Sequence, residues 1–526
     1  MKHEIQLVLS PEDAANEAVI KSYAAQQIYI KPSAITFMKV LKRSVDARSR
    51  NIKINLKLEV YVNEIPPTPQ NYKKEFAPVH SKQKVLIIGA GPAGLFAAIQ
   101  LIENGYKPII IERGKDVKSR RRDLAAINKQ HIVNPNSNYC FGEGGAGTYS
   151  DGKLYTRSTK RGDINKVLEL FVAHGADANI LVEAHPHIGT NKLPKIIEAI
   201  RQTIINSGGE VHFNALVTDI IIQNNTIKGV TGNAIETNQS FEFFADHLIL
   251  ATGHSSRDIF ELFHKKNILI EGKTFAMGVR VEHPQSLIDA TQYHCTVNEV
   301  ELKRQYLPAS SYSMVHQAMG RGVYSFCMCP GGIIAPCATS QEEVVTNGWS
   351  PSKRNNPFAN SGIVVTIEPE DYQKYSKEGA LAGLRYQQAL EKMAWEAGGK
   401  TQTAPAQRLT DFVTNKLSST LPNVSYQPGV LSAPLHELLP PEIGKRLQEG
   451  FKVFGKKMRG YLSNEAIIVG VESRTSSPIR IPRDKDTLQH PQIKGLYPCG
   501  EGAGYAGGIV SAAIDGQKCA DAITRK

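Results

Sequence analysis

The sequence is poor in cysteine and lacks a secretion signal. It has seven cysteines in 526 residues, an odd number, which argues against a secreted disulfide scaffold. No C-x2-C pair with a matching second pair occurs, so a structural zinc site is not expected and we predict no metal. The first 17 residues carry several acids and no apolar segment, so they do not predict a signal peptide. We therefore expect a cytoplasmic protein.

A membrane-spanning run is also missing. Residues 85–102 carry no charge, but Gly89, Gly91, Pro92 and Gly94 interrupt them. The first half of this stretch is typical of a strand, and a soluble turn explains the glycines better than a transmembrane helix does. We predict no membrane span.

The composition is that of a large globular chain. Hydrophobic residues make up 41% of the sequence, and the length favours two to four domains. Lys and Arg number 62 against 50 Asp and Glu, a net charge of +12. This excess favours an anionic partner: a nucleic acid, a phosphate-bearing cofactor or a membrane surface.

The order of elements predicts an α/β protein with an insertion. Alternating hydrophobicity predicts a small N-terminal α+β module over residues 1–80, of which 65–80 form a proline-containing linker. Residues 81–275 predict the first part of a Rossmann-like domain. Residues 276–460 predict an inserted α+β substrate or cap domain, and residues 461–526 return to the strand, glycine turn and helix of the first domain. A meander of three strands is expected over residues 211–222, 227–233 and 241–244, and a buried strand over 247–253.

The strongest local pattern is G-A-G-P-A-G at residues 89–94. It follows a buried strand and opens an apolar helix, and a second buried strand ends at Glu112. In such a β-α-β unit Gly89 permits a tight turn, Gly91 lets a pyrophosphate approach the backbone, and Gly94 lets the helix pack on the strand. Glu112 is placed to accept hydrogen bonds from a ribose. The unit predicts a dinucleotide site at a helix N-terminus.

Two further glycine-rich segments are present. G-E-G-G-A-G at residues 142–147 has no strand before it, so we predict a loop against a bound cofactor and not a second nucleotide fold. At residues 495–508 a strand leads through a G-E pair and several glycines into a helix. The N-terminus of this helix can stabilise the negative charge of a reduced isoalloxazine. Glu501 can accept hydrogen bonds from ribityl hydroxyls.

The pairing of these motifs resembles the two-motif FAD proteins of the glutathione-reductase-like superfamily. More narrowly, the chain resembles a bacterial family of FAD-dependent dehydrogenases (NAD(FAD)-utilising dehydrogenase-like) that is named for its cofactor. Five segments carry this likeness: residues 42–48, 141–154, 322–332, 472–478 and 495–508. Glu501 stands where the superfamily commonly has Asp. The resemblance implies FAD and redox chemistry and gives no substrate.

The resemblance also implies which residues bind the cofactor. Ala251-Thr252-Gly253 matches the superfamily's A-T-G at a strand end, and Val217 lies where backbone is offered to adenine. The full predicted set is Gly89, Gly91, Pro92, Ala93, Gly94, Glu112, Arg113, Gly145, Gly147, Val217, Ala251, Thr252, Gly253, Gly500, Glu501, Gly507, Gly508 and Ile509.

Few catalytic side chains need be visible, because a flavin carries the redox chemistry itself. Cys327 and Cys329 form C-x-C and are either a redox pair or nucleophile, or small buried residues packed on a glycine turn. Arg474 either binds an anionic substrate or the flavin, or forms an ion pair with Glu472 or another acid. His254 either faces the cofactor or is structural.

Two basic segments concentrate the positive charge. Residues 39–57 hold seven basic residues and one acid, and residues 115–122 hold five basic residues and one acid. Each is either an anion site or a solvated face.

Three functions remain open. The first hypothesis is an FAD-dependent oxidoreductase with a small-molecule substrate or electron acceptor and, as donor, a transiently bound NADH or NADPH or a protein. The second is a flavoprotein acting on RNA through the basic N-terminal module. The third is a non-catalytic flavin-binding regulator.

Overall fold

The structure, a computed structural model, describes residues 1–64, 68, 71–72, 74–80, 83–156 and 162–525. The predicted linker over residues 65–80 therefore lies partly outside the described residues. In the described part, no helix combines the length and the apolar character that crossing a membrane requires.

The described residues form strands and helices in the following order. The strands are β1 (Lys2–Leu9), β2 (Ile35–Asp46), β3 (Lys53–Val62), β4 (Lys84–Ile88), β5 (Lys107–Ile111), β6 (Glu210–His212), β7 (Ala215–Gln223), β8 (Thr226–Ala234), β9 (Ser240–Phe244), β10 (Leu248–Leu250), β11 (Glu271–Gly272), β12 (Phe275–Pro284), β13 (Val315–Ala318), β14 (Arg321–Cys329), β15 (Ile333–Pro336), β16 (Thr346–Trp349), β17 (Phe358–Ile367), β18 (Ala404–Arg408), β19 (Val430–Ser432), β20 (Ile467–Glu472), β21 (Ile479–Arg480) and β22 (Leu496–Pro498). The α-helices are α1 (Glu17–Gln27), α2 (Pro92–Glu103), α3 (Val117–Gln130), α4 (Ile164–Ala173), α5 (Leu193–Asn206), α6 (Arg257–Lys265), α7 (Gln285–Gln292), α8 (Val300–Arg304), α9 (Ala382–Ala397), α10 (Leu409–Val413), α11 (Leu435–Leu438), α12 (Pro441–Lys457) and α13 (Ile509–Thr524).

The N-terminal module is an antiparallel sheet in the order β1-β3-β2, covered by α1. Alternate residues of β3 are buried, as the hydrophobic pattern predicts. The sequence analysis missed β2. Its register with β3 shifts at Ile35/Phe37 and again at Val40/Lys42, and these irregularities break the two-residue period by which a half-buried strand is recognised.

A five-stranded parallel sheet in the order β22-β10-β4-β5-β6 forms the Rossmann-like unit. Strands β4, β5, β10 and β22 are almost fully buried, because helices α2 and α13 pack on one face and the β7-β8-β9 meander on the other. The edge strand β6 is half-buried. The molecule is thus a mixed α/β protein with a parallel sheet, as predicted.

The predicted single strand over residues 211–222 is wrong. It is two strands, since β6 joins the parallel sheet and β7 begins the meander. Asn214 separates them in the left-handed region at φ 54°. This conformation cannot continue a strand, and it turns the chain out of the parallel sheet.

The inserted part is built on a seven-stranded sheet in the order β13-β14-β17-β12-β20-β18-β19. Its core contains the helices α9 and α12. The sequence-based division places residues 461–526 with the Rossmann-like unit, but β20 lies between β12 and β18 in the seven-stranded sheet. Sheet membership depends on these long-range hydrogen bonds, which an apolar strand sequence does not reveal.

Candidate functional site

A cleft of about 380 Å³ lies where the parallel strands β4, β5, β10 and β22 end. This edge is where open α/β sheets bind ligands. Nearly all the predicted cofactor residues line it: Gly89, Gly91, Pro92, Ala93, Glu112, Arg113, Gly145, Gly147, Val217, Ala251, Thr252, Gly253, Gly500, Glu501, Gly507, Gly508 and Ile509. Gly94 lies behind the lining, in the first turn of α2.

The turn between β4 and α2 leaves no room for side chains at two positions. A Cβ on Gly89 would lie 2.4 Å from the Ala251 carbonyl oxygen, and one on Gly94 would lie 2.0 Å from the Gly89 carbonyl oxygen. Gly91 differs, because its nearest neighbour would be the Cα of Gly145 at 3.9 Å. Gly91 is the N-cap of α2, so its open side faces the space in front of a helix N-terminus.

Arg120, which the sequence analysis counted only as part of a basic segment, organises the loop over residues 142–147. It is fully buried. Its Nε donates to the Asn138 carbonyl at 2.7 Å, and its Nη1 donates to the carbonyls of Glu143 at 2.9 Å and Gly145 at 3.0 Å. Its Nη2 donates to the Tyr139 carbonyl at 2.9 Å. The guanidinium therefore fixes the loop that forms one wall of the cleft.

Glu112 ties the same loop to the glycine turn. Its carboxylate accepts hydrogen bonds from the backbone N–H groups of Ala90 at 2.8 Å, Gly114 at 2.9 Å and Gly142 at 3.0 Å. Backbone donors thus already use much of its acceptor capacity. The ribose contact stays a prediction beside this structural role.

At the C-terminal turn, Gly508 caps α13, and Glu501 lines the cleft beside His254. His254 Nδ1 lies 3.6 Å from Glu501 Oε2. His254 Nε2 is buried and has no hydrogen-bond partner in the part of the chain that the structure describes. A buried polar atom of this kind is normally satisfied. His254 as a residue lines the cleft, so its imidazole adds a polar side chain there.

The end of the cleft nearest the inserted part carries a thiol and a cation. Cys327, Lys153, Tyr155 and Phe326 line this end, whereas Cys329 is fully buried. The Cys329 thiol donates to the Cys327 carbonyl oxygen at 3.3 Å. The two predicted cysteines are thus adjacent but not equivalent.

Arg474 lines the cleft, yet its donors are engaged elsewhere. Its Nη2 lies 2.8 Å from Glu343 Oε2 and 2.9 Å from Glu391 Oε2, and its Nε lies 3.1 Å from Glu391 Oε1. Its Nη1 donates to Thr339 Oγ1 at 2.9 Å. The ion-pair alternative accounts for Arg474, with other acids than Glu472. Contacts within the protein therefore use each of its guanidinium nitrogens.

Models of known families match three parts of the chain. A model described as FAD-dependent protein, C-terminal domain-like, matches residues 274–475, which includes β20. A model of an FAD binding domain matches residues 82–133, and a domain of unknown function matches residues 1–61.

The chain is 38% identical over 537 residues to an uncharacterized protein from Clostridium beijerinckii, covering 98% of this chain and 97% of that protein. The chain belongs to the same family as this protein. A thiamine thiazole synthase from Aeropyrum pernix is 25% identical over 34% of this chain and 57% of its own length. Among solved structures, glycine oxidase from Bacillus cereus has a TM-score of 0.30 at 14% identity, covering 84% of this chain and 94% of that chain.

The cleft fits FAD, the cofactor named in the descriptions of two of the matching models. Gly91 leaves the approach to the α2 N-terminus open. Gly507 and Gly508 leave the approach to α13 open in the same way, because a Cβ on either would meet nothing within 4 Å. Two helix N-termini thus face one space, and His254 adds a polar side chain to its lining. An extended dinucleotide with a pyrophosphate in the middle matches this arrangement.

One group of metal-ligating residues occurs among the described residues: Cys499, Asp515 and Cys519, all buried. Arg483 already occupies it, with Nη2 at 2.6 Å from Asp515 Oδ1 and Nη1 at 3.5 Å from Cys519 Sγ. A cation in the middle of the group disfavours a second one.

Several basic residues of the two segments form ion pairs with acidic residues of the protein. These are Arg48–Asp46 at 2.6 Å, Lys57–Glu4 at 2.7 Å, Lys115–Asp123 at 2.9 Å and Lys118–Glu198 at 2.7 Å. Arg120 faces the interior. These contacts favour the structural interpretation of residues 115–122, and for residues 39–57 both alternatives stay open.

Proposed function

We propose that this chain is an FAD-dependent oxidoreductase that transfers hydride or electrons between FAD and a small-molecule substrate or acceptor. The observation that carries the proposal is one continuous cleft lined by both glycine-rich turns, 89–94 and 500–508. The matches of residues 82–133 to an FAD binding domain and of residues 274–475 to the C-terminal domain of FAD-dependent proteins support the cofactor. When bound, the isoalloxazine supplies the two-electron chemistry.

The cleft residues suggest a direction for the cofactor. Val217 and Arg113 line the end next to the meander, where we place the adenosine. The glycine turn before α2 would hold the pyrophosphate, because N–H groups at a helix N-terminus attract negative charge. Glu501 would accept ribityl hydroxyls, and the start of α13 would face the isoalloxazine.

A second cavity, of about 520 Å³, adjoins the proposed flavin end. It shares Tyr155, Phe326, Gly507 and Gly508 with the cleft. We assign substrate access to this side, since the shared residues lie between the two spaces. The inserted part contributes Phe326, in β14, to this opening.

We propose that the electron donor is NADH or NADPH bound transiently. The sequence has one complete dinucleotide motif, at residues 89–94, and in this proposal FAD occupies it. A nicotinamide would then bind and leave through the opening beside Tyr155.

The visible spectrum of the purified chain tests the cofactor. We expect the absorption bands of an oxidised flavin, and release of FAD on denaturation. A colourless protein that cannot be reconstituted with FAD would overturn the proposal. Anaerobic addition of NADH or NADPH then tests the donor: we expect one of them to bleach the flavin bands. Bound flavin that neither bleaches would overturn the nicotinamide part alone.

A further inference from the structure

Cys327 and Cys329 sit on an irregular part of β14. The register of β14 with β17 shifts between Phe326 and Cys329, and Cys327 lies in the left-handed region at φ 46°. A non-glycine residue in this conformation is uncommon. The irregularity turns Cys327 to the cleft, while Cys329 stays fully buried behind it. One thiol can therefore meet a ligand and the other cannot.

Two cations lie against this pair. The buried Arg280 donates through Nη2 to the Cys327 carbonyl at 2.7 Å, and the same nitrogen lies 3.5 Å from Cys329 Sγ. Arg280 Nη1 also pairs with Glu472 at 3.1 Å, which fixes the guanidinium. Lys153 reaches the pair from the cleft side, where its ammonium donates to the Met328 carbonyl. Positive charge near a thiol stabilises its thiolate.

The two thiols differ in acidity. The hydrogen bond from the Cys329 thiol lowers the pKa of Cys327 well below its usual value, with Lys153 and Arg280 acting in the same direction against burial. The same hydrogen bond and burial raise the pKa of Cys329. Cys327, the member that lines the cleft, is thus the more acidic thiol of the two. An attacking thiol and a resolving thiol need this division.

We propose that Cys327 is an attacking thiol and Cys329 a resolving thiol for a small-molecule disulfide that enters beside Tyr155 and Phe326. The proposal deepens the proposed function, and it rests on that function only for the electrons that restore the dithiol. The cleft-facing thiol, the buried thiol behind it and the two fixed cations carry the proposal.

The reaction balances in two exchanges. The Cys327 thiolate attacks one sulfur of the substrate, the substrate S–S bond breaks, and a first thiolate leaves and takes the proton of Cys329. The Cys329 thiolate then attacks Cys327 Sγ, the intramolecular disulfide forms, and the second half of the substrate leaves as a thiolate. The substrate has gained two electrons and the cysteine pair has lost them. Restoring the Cys327 thiolate and the Cys329 thiol takes two electrons and one proton, for which we name reduced flavin as the donor.

Peptide mass after reaction with a small disulfide tests the exchange. The holoprotein is reduced, desalted, treated briefly with 5,5′-dithiobis(2-nitrobenzoate), quenched in acid and digested with trypsin. The peptide of residues 322–353 contains Cys327, Cys329 and Cys337. We expect the wild-type peptide to lose two hydrogens and to retain no thionitrobenzoate.

The variants separate the two roles. Cys329→Ser should trap thionitrobenzoate on Cys327, because the resolving thiol is gone, and Cys327→Ser should leave the peptide reduced. The matched control is Cys337→Ala, a buried cysteine of the same peptide, which should behave as the wild type does. A wild-type peptide that stays a dithiol, or that carries its adduct on Cys337, would overturn the proposal. So would a Cys327→Ser chain that oxidises as fast as the wild type.

The pH dependence of Cys327 alkylation by iodoacetamide adds a readout that packing alone would not change. Cys329→Ala should move the alkylation profile to higher pH, since the interaction with the Cys329 side chain that lowers the pKa of Cys327 is lost. Cys329→Ser should move it less, because a hydroxyl still donates. Identical profiles in the three proteins would contradict the assigned roles. Loss of flavin would appear separately in the visible spectrum, so the failure of the proposed function and the failure of the thiol chemistry are distinguishable.

Discussion

The guanidinium of Arg120 donates a hydrogen bond to the carbonyl oxygen of Gly145 at 3.0 Å, and Gly145 in turn lies against Gly91. A Cβ on Gly145 would stand 3.2 Å from the Gly91 Cα. One buried side chain of α3 thus sets the distance between the two glycine segments of the cleft. The width of the cleft thus depends on Arg120, a side chain that is not part of the cleft lining.

Replacing Arg120 should damage both stability and flavin retention. In Arg120→Lys a single ammonium cannot donate hydrogen bonds to all the carbonyl oxygens that the planar guanidinium contacts. We expect a loss of about 2–3 kcal/mol in the free energy of unfolding and a lower FAD content after purification. Arg121→Lys, in the same helix and exposed, is the control and should change stability by less than about 0.5 kcal/mol. Equal melting temperatures for Arg120→Lys and the wild type would contradict the role of Arg120.

Alanine substitutions at Gly91 and Gly94 should affect different properties, FAD affinity at Gly91 and stability at Gly94. In Gly91→Ala the new methyl meets only the Gly145 Cα at 3.9 Å, so the apoprotein should melt as the wild type does. The methyl would however block a pyrophosphate at the α2 N-terminus, and we expect the Kd for FAD to rise at least about tenfold, about 1.4 kcal/mol. A flavin fluorescence titration measures this.

Gly94→Ala should show the opposite result. Its methyl would lie 2.0 Å from the Gly89 carbonyl oxygen, so helix and strand must separate and the melting temperature of the apoprotein should fall. The outcome that would count against this assignment is a Gly91→Ala protein that loses stability but binds FAD with unchanged affinity.

The parts of the molecule that the sequence predicted are local. The β4-α2-β5 unit and the C-terminal turn into α13 each lie within a short stretch, where glycines, apolar runs and helix starts follow one another directly. The cleft residues of these turns could therefore be named from the pattern alone.

The parts that the sequence did not predict depend on contacts between distant residues. Arg120 looks like its exposed neighbours in the sequence, and only the packing of the loop over residues 142–147 shows that it is buried. Arg474 forms ion pairs with Glu343 and Glu391. It does not pair with its near neighbour Glu472, because Glu472 pairs with Arg280. The orientation of Cys327 depends on a left-handed residue inside a strand, for which the sequence around it carries no glycine signal.

His254 should matter for the ligand more than for the fold. Its Nε2 is buried without a partner in the described part of the chain, so His254→Leu removes an unsatisfied group and should leave the melting temperature of the apoprotein unchanged or slightly higher. FAD binding should weaken about fivefold, the equivalent of about 1 kcal/mol for one lost hydrogen bond. Calorimetry of the apoprotein and an FAD titration give the two values. A lower melting temperature with unchanged affinity would show that His254 only fills space.

Ionisation of Glu282 should lower the free energy of unfolding as the pH rises from mildly acidic to neutral. Its side chain is buried and accepts hydrogen bonds from the backbone N–H of Ser425 at 2.7 Å and from the Ser425 hydroxyl. Burial raises the pKa of Glu282 from 4.5 to about 7, so the folded chain holds a proton that the unfolded chain releases. The associated stability is fully present below pH 4.5 and is lost as pH rises to 7.

Glu282→Gln isolates this contribution, because a glutamine amide keeps the shape of the side chain without titrating. The difference in free energy of unfolding between variant and wild type should grow by up to about 3 kcal/mol across that interval, in favour of the variant. Melting temperatures of both proteins, measured in the same cofactor state at several pH values, follow it. Stability curves that stay parallel from pH 4.5 to 7 would show that Glu282 is already ionised in the folded chain at the lower pH.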